Sequence, residues 1–275
     1  MGETYSIRGL DMYVEQFVNP EKPAIVFLHG FTGSTSTWRG AMNTLKDDYS
    51  VYAVDLIGHG KTSIPTEPAR YAMSEQVADL DCLFDQLQLS RFILVGYSMG
   101  GRLAIGYTAS HPEKIEALLL ESSSPGLQKE EERIARRASD ASLAERILHD
   151  GIETFVNNWE NIPLFESQKM LSVDKRQAIR EERMSQSPSG LANSLRGFGT
   201  GSQPSYWEVL NELQMPVLLM TGELDSKFVA IAREMKKDLP NASQIIVPQA
   251  GHAIHVEKPE LFVTIVKEYL EGLTY

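Results

Sequence analysis

The sequence predicts an α/β protein with a mostly parallel central sheet flanked by helices, and three observations carry that expectation. Continuous apolar runs alternate with amphipathic stretches, as in strands covered on both faces by helices. Gly96-Tyr97-Ser98-Met99-Gly100 follows directly on the run Phe92-Ile93-Leu94-Val95 and reads as strand, abrupt turn and helix. The strand rhythm then stops between about Ser122 and Ser205, which predicts an insertion of a different kind.

Taken in order, the segment before Pro20 reads as one or two antiparallel strands leading into the sheet. Ala24-Ile25-Val26-Phe27-Leu28 is apolar throughout, as a doubly covered parallel strand should be. Val51 to Val54, Phe92 to Val95, Ala117 to Leu120, Val217 to Met220 and Ile245 to Val247 repeat the pattern. A helix over about Ser74 to Leu87 is expected to turn Cys82 inward as a packed thiol. Between 122 and 204 there are only charged helical segments and the glycine-rich stretch Gly197 to Gly201, and strand and helix resume near Met215.

A chain of 275 residues is long enough to bury a large core without staples, since chains of this size bury roughly 75% of their unfolded surface. The single cysteine excludes an intrachain disulfide framework and a cysteine-rich zinc site, and fits a reducing cytoplasm. Met1-Gly2-Glu3-Thr4-Tyr5 lacks the basic and apolar regions of a signal peptide, and Gly2 opens no convincing myristoylation signal. No apolar stretch approaches the ~18 residues of a membrane span, so no membrane partner is expected. A formal charge of -11 argues against nucleic acid as a partner. An anionic substrate would then need a local basic site.

A serine on a tight strand-to-helix turn projects its hydroxyl from the sheet edge, beside the helix N-terminus and its free amides. Gly96 to Gly100 resembles the nucleophile elbow of the α/β-hydrolase superfamily, and the resemblance implies that fold, with a helical cap after the sixth strand. The expected organisation is a core of 1-121 and 205-275 and a cap of 122-204. An elbow serine needs a base, an acid that orients the base, and an oxyanion hole. The superfamily order of Ser, acid and His implies Ser98, Asp225 just past the Val217 run, and His252 in Ala250-Gly251-His252. His255 is the positional rival for the base, and Glu223 is the fallback acid. His29-Gly30-Phe31 and the elbow imply oxyanion donors at the backbone N–H groups of Phe31 and Met99, each such donor being worth ~3–4 kcal/mol. Asp55 to Ser63 is a further superfamily loop signature with a structural role.

The triad leaves the reaction open, because one fold hosts many chemistries. Arg102 lies four residues after Ser98, one helical turn on and on roughly the same face. It reads either as a carboxylate clamp or as half of a structural salt bridge. Eight of the fourteen arginines fall in the insertion, and glutamates accompany them, so most read as solvated helix charges. Arg136 stands apart, on a helical stripe with Leu143 and Ile147 that suggests an inward face.

Gly96 to Arg102, Glu121-Ser122-Ser123-Ser124-Pro125-Gly126-Leu127 with the helix bearing Arg136, and Gly222-Glu223-Leu224-Asp225-Ser226-Lys227-Phe228 together resemble the 2-succinyl-6-hydroxy-2,4-cyclohexadiene-1-carboxylate synthase family of menaquinone biosynthesis. That resemblance implies a lyase eliminating pyruvate from a small tricarboxylate, with substrate roles for Tyr97, Arg102, Arg136, Trp159 and Arg183. Arg180 is the rival to Arg183. It also implies no metal and no cofactor, because the carbonyl beside the reacting carbon stores the charge. Whether Ser98 is base or acyl nucleophile stays open, since both chemistries need the same three side chains. The competing reading is a serine carboxylesterase, lactonase or carbon–carbon hydrolase acting on an anionic substrate. A monomer or a homodimer fits either reading.

Overall fold

The computed structural model describes residues 2–273. Eight strands, β1 (Gly2–Ile7), β2 (Leu10–Phe17), β3 (Ala24–Leu28), β4 (Ser50–Val54), β5 (Phe92–Tyr97), β6 (Ile115–Glu121), β7 (Val217–Gly222) and β8 (Ala242–Val247), form one sheet in the order β1-β2-β4-β3-β5-β6-β7-β8. β1 pairs antiparallel with β2, and β2 with β4; every other pairing is parallel. The helices are α1 (Arg39–Leu45), α2 (Met73–Gln86), α3 (Met99–Ser110), α4 (Glu130–Trp159), α5 (Val173–Met184), α6 (Pro188–Phe198), α7 (Ser226–Asp238), α8 (Ile254–Glu257) and α9 (Pro259–Glu271).

Strand alternation sorts the apolar runs into two cores. Val26, Leu28 and Leu94 face α2, α3 and α7, where Phe84, Leu103, Tyr107 and Met235 are buried. Ile25, Phe27 and Val95 face α1 and α9, where Trp38, Leu45, Phe262 and Val266 are buried. β3, β4 and β6 are thus covered on both faces, which explains the apolar runs Ala24–Leu28, Val51–Val54 and Ala117–Leu120. β8 departs from that expectation: it ends the sheet, and Ile246 is 37% exposed. Cys82 is a second correction. It is exposed, because Leu80, Leu83 and Phe84 form the buried stripe of α2 and leave position 82 on the outer face.

Helices α4, α5 and α6 lie between β6 and β7 and share a small core of their own, built from Ile147, Phe155, Val156, Leu191 and Leu195. The path of α4 breaks at Gly151, where the backbone turns to φ 79°. Polar contacts tie the inserted segment to loops of the sheet. Glu182 accepts from the hydroxyls of Ser34 and Ser36 at 2.7 and 2.6 Å, Gln186 accepts from the Gly60 amide at 3.1 Å, and Asn193 donates to the Pro65 carbonyl at 3.0 Å.

Two buried imidazoles sit beneath these contacts, with ring centres 5.3 Å apart. His29 donates from Nδ1 to the Gly30 carbonyl and accepts the Leu56 amide at Nε2, which fixes it as a neutral ring. His59 donates from Nδ1 to the Ile57 carbonyl at 3.1 Å. Burial pushes His29 down to about 4 and His59 down to about 3, the latter also by repulsion from His29.

At Gly58 and Gly190 the insertion meets the sheet backbone to backbone. Gly58 has a φ of +77°, and a Cβ on Gly190 would stand 2.1 Å from the Gly58 carbonyl oxygen.

Two predictions follow from these packing and charge constraints. Gly190→Ala, which helix propensity alone would favour by about 1 kcal/mol, is expected to lower stability by roughly 1–3 kcal/mol in urea unfolding, because the added methyl forces α6 off the core. Stability should also fall on acidification. The folded-state values of His29 and His59 lie below the unfolded one, so the unfolded chain takes protons first; stability is intact above about pH 6.5 and drains as pH falls toward about 4. A urea midpoint that is flat between about pH 6.5 and 5, above most carboxylate titrations, would contradict this.

Candidate active site

The site begins with a backbone reversal at the carboxyl end of β5. Ser98 adopts φ 49° and ψ −106°, a conformation that a side-chain-bearing residue rarely takes. The Ser98 amide is anchored to the Glu121 carbonyl at 2.9 Å, and α3 starts at the next residue. A Cβ at Gly96 would stand 2.5 Å from the Gly101 Cα, and one at Gly100 would meet the Leu28 and His29 carbonyls. Only glycines let α3 approach the ends of β3 and β5 this closely.

β7 and β8 deliver the partners of Ser98. Asp225 caps α7, its Oδ1 accepting the Phe228 amide at 3.3 Å, while its Oδ2 lies 2.6 Å from Nδ1 of His252. A carboxylate can only accept here, so Nδ1 carries the proton and Nε2 accepts from the Ser98 hydroxyl at 3.0 Å. Both Asp225 and His252 are buried. The rings of Tyr97 and Phe228 flank the imidazole at 5.4 and 4.7 Å. The carboxylate of Glu257 holds the preceding loop, taking the Gly251 amide at 2.7 Å on one oxygen and the hydroxyl of Ser167, from the insertion, at 3.0 Å on the other.

The rivals have other occupations. His255 bonds to the buried Glu121 carboxylate at 2.8 Å through Nδ1 and to Thr37 at 3.0 Å through Nε2, and it stacks on Trp38 at 4.3 Å. Both its nitrogens are spent away from Ser98. Glu223 accepts the Gln249 amide at 3.0 Å and points outward. Among the described residues, the Phe31 and Met99 amides donate to no protein acceptor. Both residues line the cavity that holds Ser98, as required of donors to an oxyanion.

That cavity is about 710 Å³, bounded by the sheet edge on one side and by α4 and α6 on the other. Phe31, Tyr97, Ser98, Met99, Arg102, Arg136, Trp159 and His252 line it, with Asp225 one bond behind His252. Trp159 packs edge-on to Phe31 at 5.5 Å. Burial holds the Tyr97 hydroxyl well above its ordinary value, Glu121 adding to the shift and Arg183 opposing it, so it is a neutral donor. Arg136 gives Nε to Asp140 at 2.8 Å, which leaves its two terminal nitrogens free of protein partners, and its side chain is 43% exposed. Arg136 therefore stands at the cavity rim, on a stripe whose Ile147 end is buried in the core of the insertion.

Among the described residues, Arg102 makes no salt bridge. Its Nη1 donates to the Phe198 carbonyl at 2.9 Å and to Oε1 of Gln203, and the guanidinium lies 4.7 Å over the Phe198 ring. Burial pushes it down to about 9, with Arg136 adding and Asp140 opposing, so it stays cationic at neutral pH. Among the described residues, no cluster of three His, Cys, Asp or Glu side chains is placed to hold a metal ion.

Arg183 departs from expectation, because it does not line this cavity. It is buried behind Phe165, 4.6 Å from that ring, and faces a neighbouring cavity of about 310 Å³ with Arg176 and Arg180. Phe165 forms the wall between the two spaces. Arg180 is committed to Glu160 and Asn157. Phe165, Phe198 and Gln203 escaped sequence reasoning, since nothing in an irregular helical insertion marks them. Asp140, by contrast, sits four residues after Arg136, a spacing that signals an ion pair on a helix.

This constellation can be set beside known proteins. Residues 23–259 match a family model described as alpha/beta hydrolase fold. A Bacillus subtilis protein, provisionally named a 2-succinyl-6-hydroxy-2,4-cyclohexadiene-1-carboxylate synthase, is 49% identical over 250 residues, covering 91% of each chain. A Salmonella typhimurium protein of that name without the qualifier is 33% identical over 241 residues, covering 87% of this chain and 90% of its own. The solved structure of MenH from S. aureus superposes with a TM-score of 0.91 at 37% identity, covering 94% of this chain and 98% of that one. With its elbow serine, its strand order and near-full-length likeness to these proteins, the chain belongs to the α/β-hydrolase fold family and, within it, to the 2-succinyl-6-hydroxy-2,4-cyclohexadiene-1-carboxylate synthase family.

Proposed function

We propose that this chain eliminates pyruvate from 2-succinyl-5-enolpyruvyl-6-hydroxy-3-cyclohexene-1-carboxylate, with Ser98 as the proton-abstracting group. The observation that carries this reading is the cavity's content: a serine–histidine pair shares it with two guanidiniums, Arg102 and Arg136, whose free nitrogens have no carboxylate. A site for neutral acyl chains has no use for two cations it must desolvate.

In the proposed reaction, the Ser98 oxygen removes the ring proton beside the succinyl ketone while passing its own proton to Nε2 of His252. The released electron pair enters the ring, the existing double bond shifts, and the ring carbon–oxygen bond to the enolpyruvyl group breaks. A conjugated diene remains. The departing enolate takes the His252 proton on carbon and becomes pyruvate, while Ser98 keeps the ring proton as its new hydroxyl hydrogen and His252 returns to the neutral ring. Asp225 stabilises the transient imidazolium through the 2.6 Å bond to Nδ1. The Phe31 and Met99 amides receive the enolate oxygen of the succinyl ketone, charge stabilisation of the kind that commonly contributes most to catalysis.

Arg102 and Arg136 each take a substrate carboxylate, and Tyr97 and Trp159 close the space around the ring. Arg183, one ring behind Phe165, adds positive potential to the same region, consistent with its electrostatic influence on Tyr97. We assign 122–204 as the cap of this site, since α4 and α6 supply one wall. The single cysteine fits a reducing cytoplasm as the place of the reaction.

Pyruvate release from this substrate, compared with hydrolysis of a neutral short-chain aryl ester, is the deciding assay. Fast release with poor ester turnover is expected; the reverse would make the chain an esterase on the same scaffold. Ser98→Ala should lower pyruvate release by at least about a thousandfold, and substantial retention would remove Ser98 from the chemistry.

A further inference from the structure

The arginines shielded from solvent fall into two groups. Arg70, Arg133, Arg137 and Arg180 each carry a carboxylate, from Asp79, Glu130, Glu130 and Glu160 respectively. Among the described residues, Arg102 and Arg183 carry none. Each is instead held in one way: a buried glutamine oxygen on a terminal nitrogen and an aromatic ring against the guanidinium face. For Arg102 these are Gln203, 1% exposed, and Phe198 at 4.7 Å. For Arg183 they are Gln168, 7% exposed, at 3.0 Å, and Phe165 at 4.6 Å.

A carboxylate at either glutamine would fit the same space and complete a salt bridge, as the chain does for its other sheltered arginines. A neutral amide satisfies an N–H and fixes the plane of the fork without cancelling its charge. A ring face does the same, orienting a cation while giving it no counter-ion. Burying a cation this way is costly unless an anion arrives to pair with it.

Resting on the reading above, we infer that Gln203 and Gln168 are positioning residues that orient Arg102 and Arg183 without cancelling their charge, so that Arg102 meets a substrate carboxylate in the cavity and Arg183 adds positive potential from behind Phe165. Asp140 provides the internal contrast. It half-compensates Arg136, which makes Arg136 the weaker anion subsite, whereas Gln203 leaves Arg102 the stronger one.

The test is to put the carboxylate in. Gln203→Glu should hold or raise the melting temperature, because a buried cation gains its counter-ion. It should raise KM for the tricarboxylate by roughly ten- to hundredfold, the loss of one charge-assisted contact, and change kcat by less than about threefold. Gln168→Glu should act in the same direction but more weakly, because Arg183 works across Phe165 and not by contact, and it serves as the independent second variant. Succinate, used as a probe, should raise the melting temperature of the wild type and lose that effect in Gln203→Glu.

An unchanged KM in both variants, or a fall in melting temperature with either, overturns the inference, since a merely structural glutamine tolerates an isosteric acceptor. Pyruvate release intact in the wild type with KM unmoved in both variants defeats this inference alone. A wild type that releases no pyruvate, but whose succinate stabilisation vanishes in Gln203→Glu, defeats the proposed reaction and leaves the inference standing. Succinate that stabilises neither protein counts against Arg102 as an anion subsite.

Discussion

Everything in the site hangs on how closely α3 can approach the ends of β3 and β5. The turn at Ser98 has no room for side chains at Gly96, Gly100 or Gly101, where a Cβ would run into backbone or into Ser123. That proximity fixes three things together. It forces Ser98 into a positive φ and drives its hydroxyl outward, it sets the Met99 amide beside that hydroxyl, and it brings the Phe31 loop alongside. Asp225 and His252 then need only follow their own strands, because parallel strands end at one edge of the sheet and deliver their loops to a common place. The strain at Ser98 is held by a well-packed neighbourhood, including the Glu121 carbonyl and the Glu121–His255 pair below it.

Around this rigid edge the electrostatics run against the grain of the molecule. A chain of net charge -11 surrounds a cavity bearing two guanidiniums without full compensation and a third one ring away. An acidic exterior repels anions at long range. Selection for a polyanionic ligand is therefore concentrated in the cavity, where low-dielectric walls strengthen each contact. The insertion carries most of the arginines, but the majority are exposed or spent on nearby carboxylates. What distinguishes the few that matter is the partner each lacks.

That distinction also marks where the sequence stops being legible. The positions of the strands and the mostly parallel sheet were readable because doubly covered strands must be apolar throughout, and the elbow was readable because its glycines answer a steric demand that sequence displays. Asp225 and His252 were readable by their distance from strand ends. Cys82 was misread because a helix face cannot be assigned from its mean character: Leu80, Leu83 and Phe84 define the stripe, and position 82 falls between them. β8 was read as a covered strand because a short apolar run does not say whether another strand lies beyond it. Arg183 was expected in the cavity, and the aromatic wall that separates it comes from Phe165, in a 3-10 turn that no periodicity announces. Nor could Gln203 or Gln168 be found, since a glutamine in a loop has no pattern until its arginine is placed against it.

The contact between Gly58 and Gly190 bears on the history such a chain can have. One glycine belongs to a loop of the sheet and the other to the first turn of α6, and each occupies the space a side chain on the other would need. A methyl group on Gly190 pushes against the Gly58 carbonyl, and one on Gly58 crowds the Gly190 backbone at 3.0 Å and meets the Tyr71 ring at 2.6 Å. Substitutions therefore cannot be traded between them, as they can between a large and a small residue facing each other in a core. The inserted segment is thus held against the sheet at that point, and again at Gly197, where a Cβ would stand 2.0 Å from the Pro68 carbonyl oxygen.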